Sequence, residues 1–338
     1  MVAVVDLGSA FIRLGRVDRE ESNVKGRSVR LLAIVMAICL LVSMSAQGAA
    51  TLSIVGSDTM SRLVTAWADA FRTVRPDITI EIQVSGSAAA PPALTEQVAN
   101  FGVMSRPFSE TELMDFLRRR GFLPQGFIVA RDSLAVIANH QNPTDSISLE
   151  DLDRIFSIGR LCSGRSAVTT WRELGVEHGI AESGAPLILG RINPLGRTAV
   201  SGSYGFFKGN VLCGGDFHSR VVELPGFAAI IRTVEADPNA IGYVGSSFIE
   251  SSVKVLAVHE SKKDVATGMS GESARRDLSP LTRDLYLYLT LPPGEQPSAS
   301  ECAFLKFVAS RQAQNILTKS GFLRGDDSLS EGLKVSCG

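Results

Sequence analysis

Thr51-Leu-Ser-Ile-Val-Gly-Ser57 leads into Asp58-Thr-Met60 and a run to Arg75 in which Met60, Leu63, Val64, Trp67, Phe71 and Val74 recur at helical spacing. A short apolar run bounded by Gly-Ser reads as a buried strand. The periodicity after it reads as a helix with one buried face, ended by Pro76. The order then repeats. Ile78 to Val84 alternates as a second strand, Ser85-Gly-Ser-Ala-Ala-Ala90 turns into a helix through Asn100, and Phe101-Gly-Val-Met104 is a third strand ending at Ser105-Arg106-Pro107. Ser109 and Glu112 have capping-box spacing for the next helix. Such alternation defines an α/β chain with parallel strands. Ligands of these sheets collect at strand carboxyl ends, which groups Ser57-Asp58-Thr59, Ser85-Gly86-Ser87 and Ser105-Arg106.

Farther along, Gly126 to His140 holds two apolar runs split by Arg131-Asp132, and Ser148 to Ser157 reads as a capped helix. Residues 159–185 are loop-rich, Pro186 to Gly190 reads as a strand, and Asn193-Pro-Leu-Gly-Arg197 as loop. Gly226 to Ala236 is a helix. Ala240 to Val244, Val253 to Val258 and Thr282 to Leu291 are strands, and Ala299 to Lys319 is one helix with Gly321 beyond its end. In Gly196-Arg-Thr-Ala-Val-Ser-Gly-Ser-Tyr-Gly205, a basic residue stands four positions before a Ser-Gly-Ser turn that opens a helix. Backbone N–H groups at a helix start point outward and attract anions, and a nearby guanidinium adds a forked contact. This stretch reads as one wall of an oxyanion pocket.

The 338 residues suffice for two domains with their own cores, and the formal net charge is −1. No basic cluster interleaves with aromatics, which argues against a nucleic-acid surface. Residues 1–48 form a signal-peptide region: Lys25, Arg27 and Arg30 precede an apolar run, Leu31 to Val42, and small residues around Ala46 to Ala49 offer a cleavage site. Beyond it stand Cys162, Cys213, Cys302 and Cys337, an even count that suggests two disulfides in an exported protein. Segment order favours 162–213 with 302–337 among three possible pairings. The cysteine spacing does not suit zinc, and no metal or cofactor is expected. His140, His178, His218 and His259 are scattered.

Val55-Gly-Ser-Asp-Thr-Met60, Gln83-Val-Ser-Gly-Ser87, Met104-Ser-Arg-Pro107 and Arg197-x-x-x-Ser201-Gly-Ser203 stand in an order and spacing that resemble the PstS family, the periplasmic phosphate-binding proteins of ABC transporters. Pro91 to Glu96, Leu161-Cys162, Tyr204 to Lys208, Leu212-Cys213 and Ile241 to Gly245 extend the likeness, particularly to the branch found in pseudomonads and related Proteobacteria. The resemblance implies a type II periplasmic-binding-protein fold: two α/β lobes with central mixed, mainly parallel sheets, joined by two hinge crossings. Lobe 1 is expected over residues 49–135 and 254–338, and lobe 2 over 136–253. The implied ligand is inorganic phosphate, held by Asp58, Thr59, Ser87, Ser105, Arg197, Ser201, Gly202 and Ser203. The implied partner is a membrane permease, served by a periplasmic, monomeric, non-catalytic carrier. In some relatives an Asp stands at the place of Ser105 and accepts the proton of phosphate. Here Asp58 is expected to take that role.

Two other readings compete, besides that of an exported surface or adhesion protein that retains the fold. One keeps the fold and changes the oxyanion to sulfate, molybdate or a phosphonate. The other is a serine hydrolase using Ser203, since Ser201-Gly-Ser203-Tyr-Gly205 nearly spells a nucleophile elbow. Its first glycine is missing. For Arg197 a surface pair with Asp216 or Glu223 is the plainer alternative, and for Arg106 a structural ion pair.

Overall fold

The structure, a computed structural model, describes residues 50–176, 178–180, 184, 186–261, 279–327, 329–332 and 337. The signal-peptide region lies outside the described residues. Strand β1 (Ala50–Gly56) runs parallel to β2 (Ile78–Val84) on one side and β3 (Phe101–Met104) on the other. A long strand, β4 (Gln125–Ala138), comes next. It is followed by β5 (Ser146–Ser148), the isolated pair β6 (His178–Ile180) and β7 (Pro186–Ile188), then β8 (Asn193–Arg197), β9 (Val222–Leu224), β10 (Ala240–Gly245), β11 (Lys254–His259), β12 (Thr282–Leu289) and β13 (Leu323–Arg324). The main sheet has the order β2-β1-β3-β12-β4-β10-β8-β9. It is parallel at both flanks and antiparallel around β4, so it is mixed.

The helices that cover these strands include α1 (Ser61–Val74), α2 (Ala90–Thr95), α3 (Glu110–Arg120), α4 (Leu149–Phe156), α5 (Gly202–Asn210), α6 (Phe227–Ala236), α7 (Ala299–Ala309) and α8 (Arg311–Lys319). On α1, Leu63, Val64, Trp67 and Phe71 are buried as the periodicity requires, whereas Val74 in the last turn is exposed. Helix α2 stops at Thr95, short of Asn100, because Gln97 turns the chain through positive φ. The single helix expected from Ala299 to Lys319 is broken at Ser310, whose extended backbone ends α7 and whose hydroxyl caps α8. The Ser109–Glu112 capping box of α3 is present.

Two main apolar cores result. The first gathers Leu52, Ile54, Trp67, Phe71 and Phe101 with Phe127, Val129, Leu285, Leu287 and Phe304. The second gathers Leu134, Val136, Phe156, Trp171, Phe207 and Tyr243 with Leu256, Val258 and Leu281. Burial of each such side chain contributes about 1.5–3 kcal/mol. Strand β4 passes from the first core to the second at Arg131–Ser133, and the chain returns between Leu281 and Leu285. The return was expected at residue 254. Strand β11 pairs with β5 and with the far end of β4, and its Leu256 and Val258 pack in the second core. Disulfides join Cys162 to Cys213 and Cys302 to Cys337. The first encloses the whole segment from β8 to α5.

Candidate functional site

The segments grouped from the sequence meet at the carboxyl ends of β1, β2, β3 and β8. Asp58 and Thr59 occupy a 3-10 turn after β1, Ser87 opens another after β2, Ser105 directly follows β3, and Arg197 ends β8. Ser201 caps α5, accepting from the Tyr204 N–H at 3.0 Å, and Gly202 and Ser203 are that helix's first residues. Their N–H groups have no acceptor within the helix. Thr59, Ser87, Ser105, Ser201 and Ser203 are all buried, as is Arg197.

Close approach demands glycine here. At Gly86, with φ +133°, a Cβ would stand 2.6 Å from the Val200 carbonyl, and the Ala88 N–H donates to that same carbonyl at 3.1 Å. At Gly202 a Cβ would meet the Ser105 and Ser87 hydroxyl oxygens at 2.2 and 2.3 Å. The turns of the first core and the start of α5 are therefore in direct contact.

The hydrogen bonds constrain the sense of the hydroxyls. A hydroxyl has one hydrogen to donate and lone pairs to accept with. Ser87 Oγ accepts from the Ser105 N–H at 3.0 Å, Ser105 Oγ accepts from Ser57 Oγ at 3.0 Å, and Ser201 Oγ accepts from Tyr204. Each thus has a protein donor on its acceptor side. Ser87 and Ser105 Oγ also stand 3.3 Å apart, so one of their two hydrogens can bridge the pair, and the other, with that of Ser201, is available for another group. Arg197 Nη2 donates to Asp58 Oδ2 and, at 3.0 Å, to the Pro225 carbonyl. The guanidinium lies over the Phe227 ring, 4.6 Å from its centre. Its backbone N–H donates to the Tyr243 hydroxyl at 3.3 Å, and burial holds that phenol well above its usual range. Among the described residues, the buried atoms Asp58 Oδ1, Arg197 Nε and Arg197 Nη1 have no hydrogen-bond partner. One acceptor and two charged donors thus remain beside a ring of hydroxyl hydrogens.

All eight residues named from the sequence lie in this cluster or on its rim. Arg197 pairs with Asp58, while Asp216 pairs with Lys208. Arg106 forms a fork with Glu112, both contacts 2.7 Å, and is committed to the cap of α3. One sequence reading is corrected: Asn193–Arg197 is a strand. Pro194 and Gly196 disguise it, yet it lies between β10 and β9 with Leu195 buried. Strand, turn and helix therefore precede and follow Ser203 as in an elbow. Two residues went unnoticed as site members. Arg283 donates to Ser203 Oγ at 2.9 Å and to Thr59 Oγ1 at 3.4 Å, and pairs with Asp132 at 3.0 Å. The signal available was a charged pair interrupting apolar strands, Arg131-Asp132 and Arg283-Asp284.

The site is thus of a kind suited to a small oxyanion. Residues 42–312 match the family model described as a PBP superfamily domain. The phosphate-binding protein PstS of Pseudomonas aeruginosa is 38% identical over 272 residues, which are 80% of this chain and 82% of that protein. A crystal structure of a putative phosphate ABC transporter substrate-binding protein from Clostridium perfringens, with bound phosphate, superposes at a TM-score of 0.61. It is 25% identical and covers 81% of this chain and 99% of its own. An ABC-type phosphate transport receptor from Vibrio cholerae shares the fold at a TM-score of 0.58, with 19% identity over 80% of this chain and 99% of its own. The mixed α/β architecture is the type II periplasmic-binding-protein fold. The chain belongs to the PBP superfamily and, within it, to the PstS family of substrate-binding proteins.

Proposed function

We propose that this protein captures inorganic phosphate between two lobes and delivers it to the permease of an ABC importer. The observation that carries the reading is the donor–acceptor balance of the site. Hydroxyls at the ends of β1, β2, β3 and the start of α5 have hydrogens to give, Arg197 supplies charge, and Asp58 Oδ1 is a single buried acceptor. Hydrogen phosphate offers many acceptors and one proton. Sulfate offers no proton, so Asp58 would face one of its oxygens with repulsion and an unmade bond, a cost of about 1–3 kcal/mol or more.

The lobes follow the two cores, with crossings at Arg131–Ser133 and Leu281–Leu285, and closure is a hinge motion about those strands. Residues 25–48 act as the export signal, and the mature protein works as a periplasmic monomer without catalysis. Ser203 favours binding over acyl transfer: its oxygen accepts from Arg283, a donor-only group that cannot take its proton as a nucleophile's base must.

Titration calorimetry of the purified protein with phosphate, sulfate and molybdate tests this. One phosphate per chain, with little or no heat from the other anions, is expected. Tighter sulfate or molybdate binding would reassign the ligand, and no heat with phosphate would overturn the reading.

A further inference from the structure

Arg283 is the second residue of β12, where the chain returns from the second core to the first, and it is 4% exposed. Its Nη1 donates to Ser203 Oγ at 2.9 Å. Its Nη2 donates to Asp132 Oδ2 at 3.0 Å and, over a longer 3.4 Å, to Thr59 Oγ1. Asp132 is held in turn, its Oδ1 accepting from Ser246 Oγ at 3.1 Å. Arg283 and Asp132 are direct partners in the β12–β4 register, and both sit where the chain crosses between cores. Thr59 belongs to the turn between β1 and α1 of the first core, and Ser203 to α5, whose Phe207 packs in the second. One guanidinium thus bonds to hydroxyls from both halves of the fold.

The direction of those bonds matters. A guanidinium only donates, so Thr59 and Ser203 must accept from it. Their hydroxyl oxygens also stand 3.4 Å apart, so one hydrogen can bridge the pair while the other is left for an outside acceptor. An oxyanion is an acceptor at every unprotonated oxygen. A carboxylate in the place of Arg283 would do the reverse and turn the hydroxyl oxygens toward the ligand, where they would repel it. The charge of Arg283 is balanced by Asp132, since both side chains are buried against each other. Its contribution is therefore orientation more than net attraction. The bonds to Thr59 and Ser203 also span the two cores, so they can form together only in the closed arrangement.

We propose that Arg283, held by Asp132, is a positioning residue for the bound anion: it sets the Thr59 and Ser203 hydroxyls as donors and ties the two cores together around the ligand. This rests on the oxyanion-carrier reading, and the wild-type titration separates the two. If the wild-type protein does not bind phosphate, the carrier reading fails by itself.

Given wild-type binding, the test is calorimetry with inorganic phosphate on R283M, S203A and the R283M/S203A double variant, alongside thermal melts. R283M is expected to weaken binding about tenfold or more. In the S203A background the same change should cost much less, because one of the hydroxyls it orients is gone. A purely structural role would give equal costs in both backgrounds and overturns the proposal. Should R283M fail to fold, R283K decides. It keeps the charge beside Asp132 but cannot fork to two hydroxyls at once. R283K that melts like the wild type and binds phosphate several-fold more weakly supports the proposal, and R283K with wild-type affinity overturns it.

Discussion

Replacing Asp58 by asparagine separates the two jobs that its carboxylate performs. Oδ2 accepts from Arg197 Nη2, and the buried Oδ1 has no partner among the described residues. If Oδ1 receives the proton of hydrogen phosphate, that charge-assisted bond contributes about 1.5–3 kcal/mol, or roughly 10- to 150-fold in affinity. Asp58→Asn removes its charge assistance, since an amide oxygen accepts only as a neutral group. The same change also strips Arg197 of its counter-charge, which strengthens the attraction for any dianion. The two effects oppose each other in the phosphate affinity, so that number alone decides little. They do not oppose each other in selectivity. Sulfate gains from the freed charge and from loss of the repelling carboxylate, whereas phosphate gains only the first. The ratio of phosphate to sulfate association constants should therefore fall by about tenfold or more. Calorimetric titration of both anions at mildly alkaline pH, with wild type and variant in the same buffer, measures it. A ratio within twofold of the wild type's would refute the role given to Asp58.

Three further outcomes follow from the same contacts. Gly202→Ala drives a Cβ against the Ser87 and Ser105 hydroxyls, an overpacking cost of about 1–3 kcal/mol. Phosphate affinity should drop by roughly 5- to 150-fold, with the free protein's melt much less affected, and unchanged affinity would show that the turns do not close on each other. The disulfides close segments with sequence separations of 51 and 35 residues, each worth about 4 kcal/mol by chain entropy. Calorimetric melts with and without reductant should show a clear fall in Tm, and Cys162→Ser with Cys213→Ser should weaken phosphate binding as well, since that loop carries Arg197 and Ser203. Glu112 is an acid-sensitive residue: burial raises its pKa, but the fork from Arg106 and the bonds from Ser109 outweigh that and hold it below its ordinary value. A depressed folded pKa stabilises above the unfolded value of about 4.3 and is lost as pH falls through the folded one. Glu112→Gln should cost about 1 kcal/mol near neutrality, and denaturant melts should show that gap closing in acid. A gap that persists at low pH would contradict the assignment.

Much of this was legible in the chain. The β1–α1 boundary followed from period and breaker residues, and the four Ser/Thr turns were grouped correctly because strand carboxyl ends converge in α/β sheets. What escaped notice depended on contacts distant in sequence. Asp132 and Arg283 each look like a charge interrupting an apolar strand, and only the β4–β12 register, with the paired cores on either side, shows that they neutralise each other beside the site. Strand β8 hid behind Pro194 and Gly196, residues that lower strand propensity but are tolerated at its start and against Tyr243. Likewise, nothing local in Val253 to Val258 says which core β11 will join. The break at Ser310 could have been read, since a serine three residues before Ala313 is a cap as easily as a helical residue.

A crystal structure of the protein grown with phosphate tests the central claim most directly. The account predicts one tetrahedral anion within hydrogen-bond distance of Thr59, Ser87, Ser105, Arg197 and the Ser201–Ser203 turn, with one oxygen against Asp58 Oδ1. An anion bound elsewhere on the chain, or one that leaves those hydroxyls bonded only to protein, would contradict it.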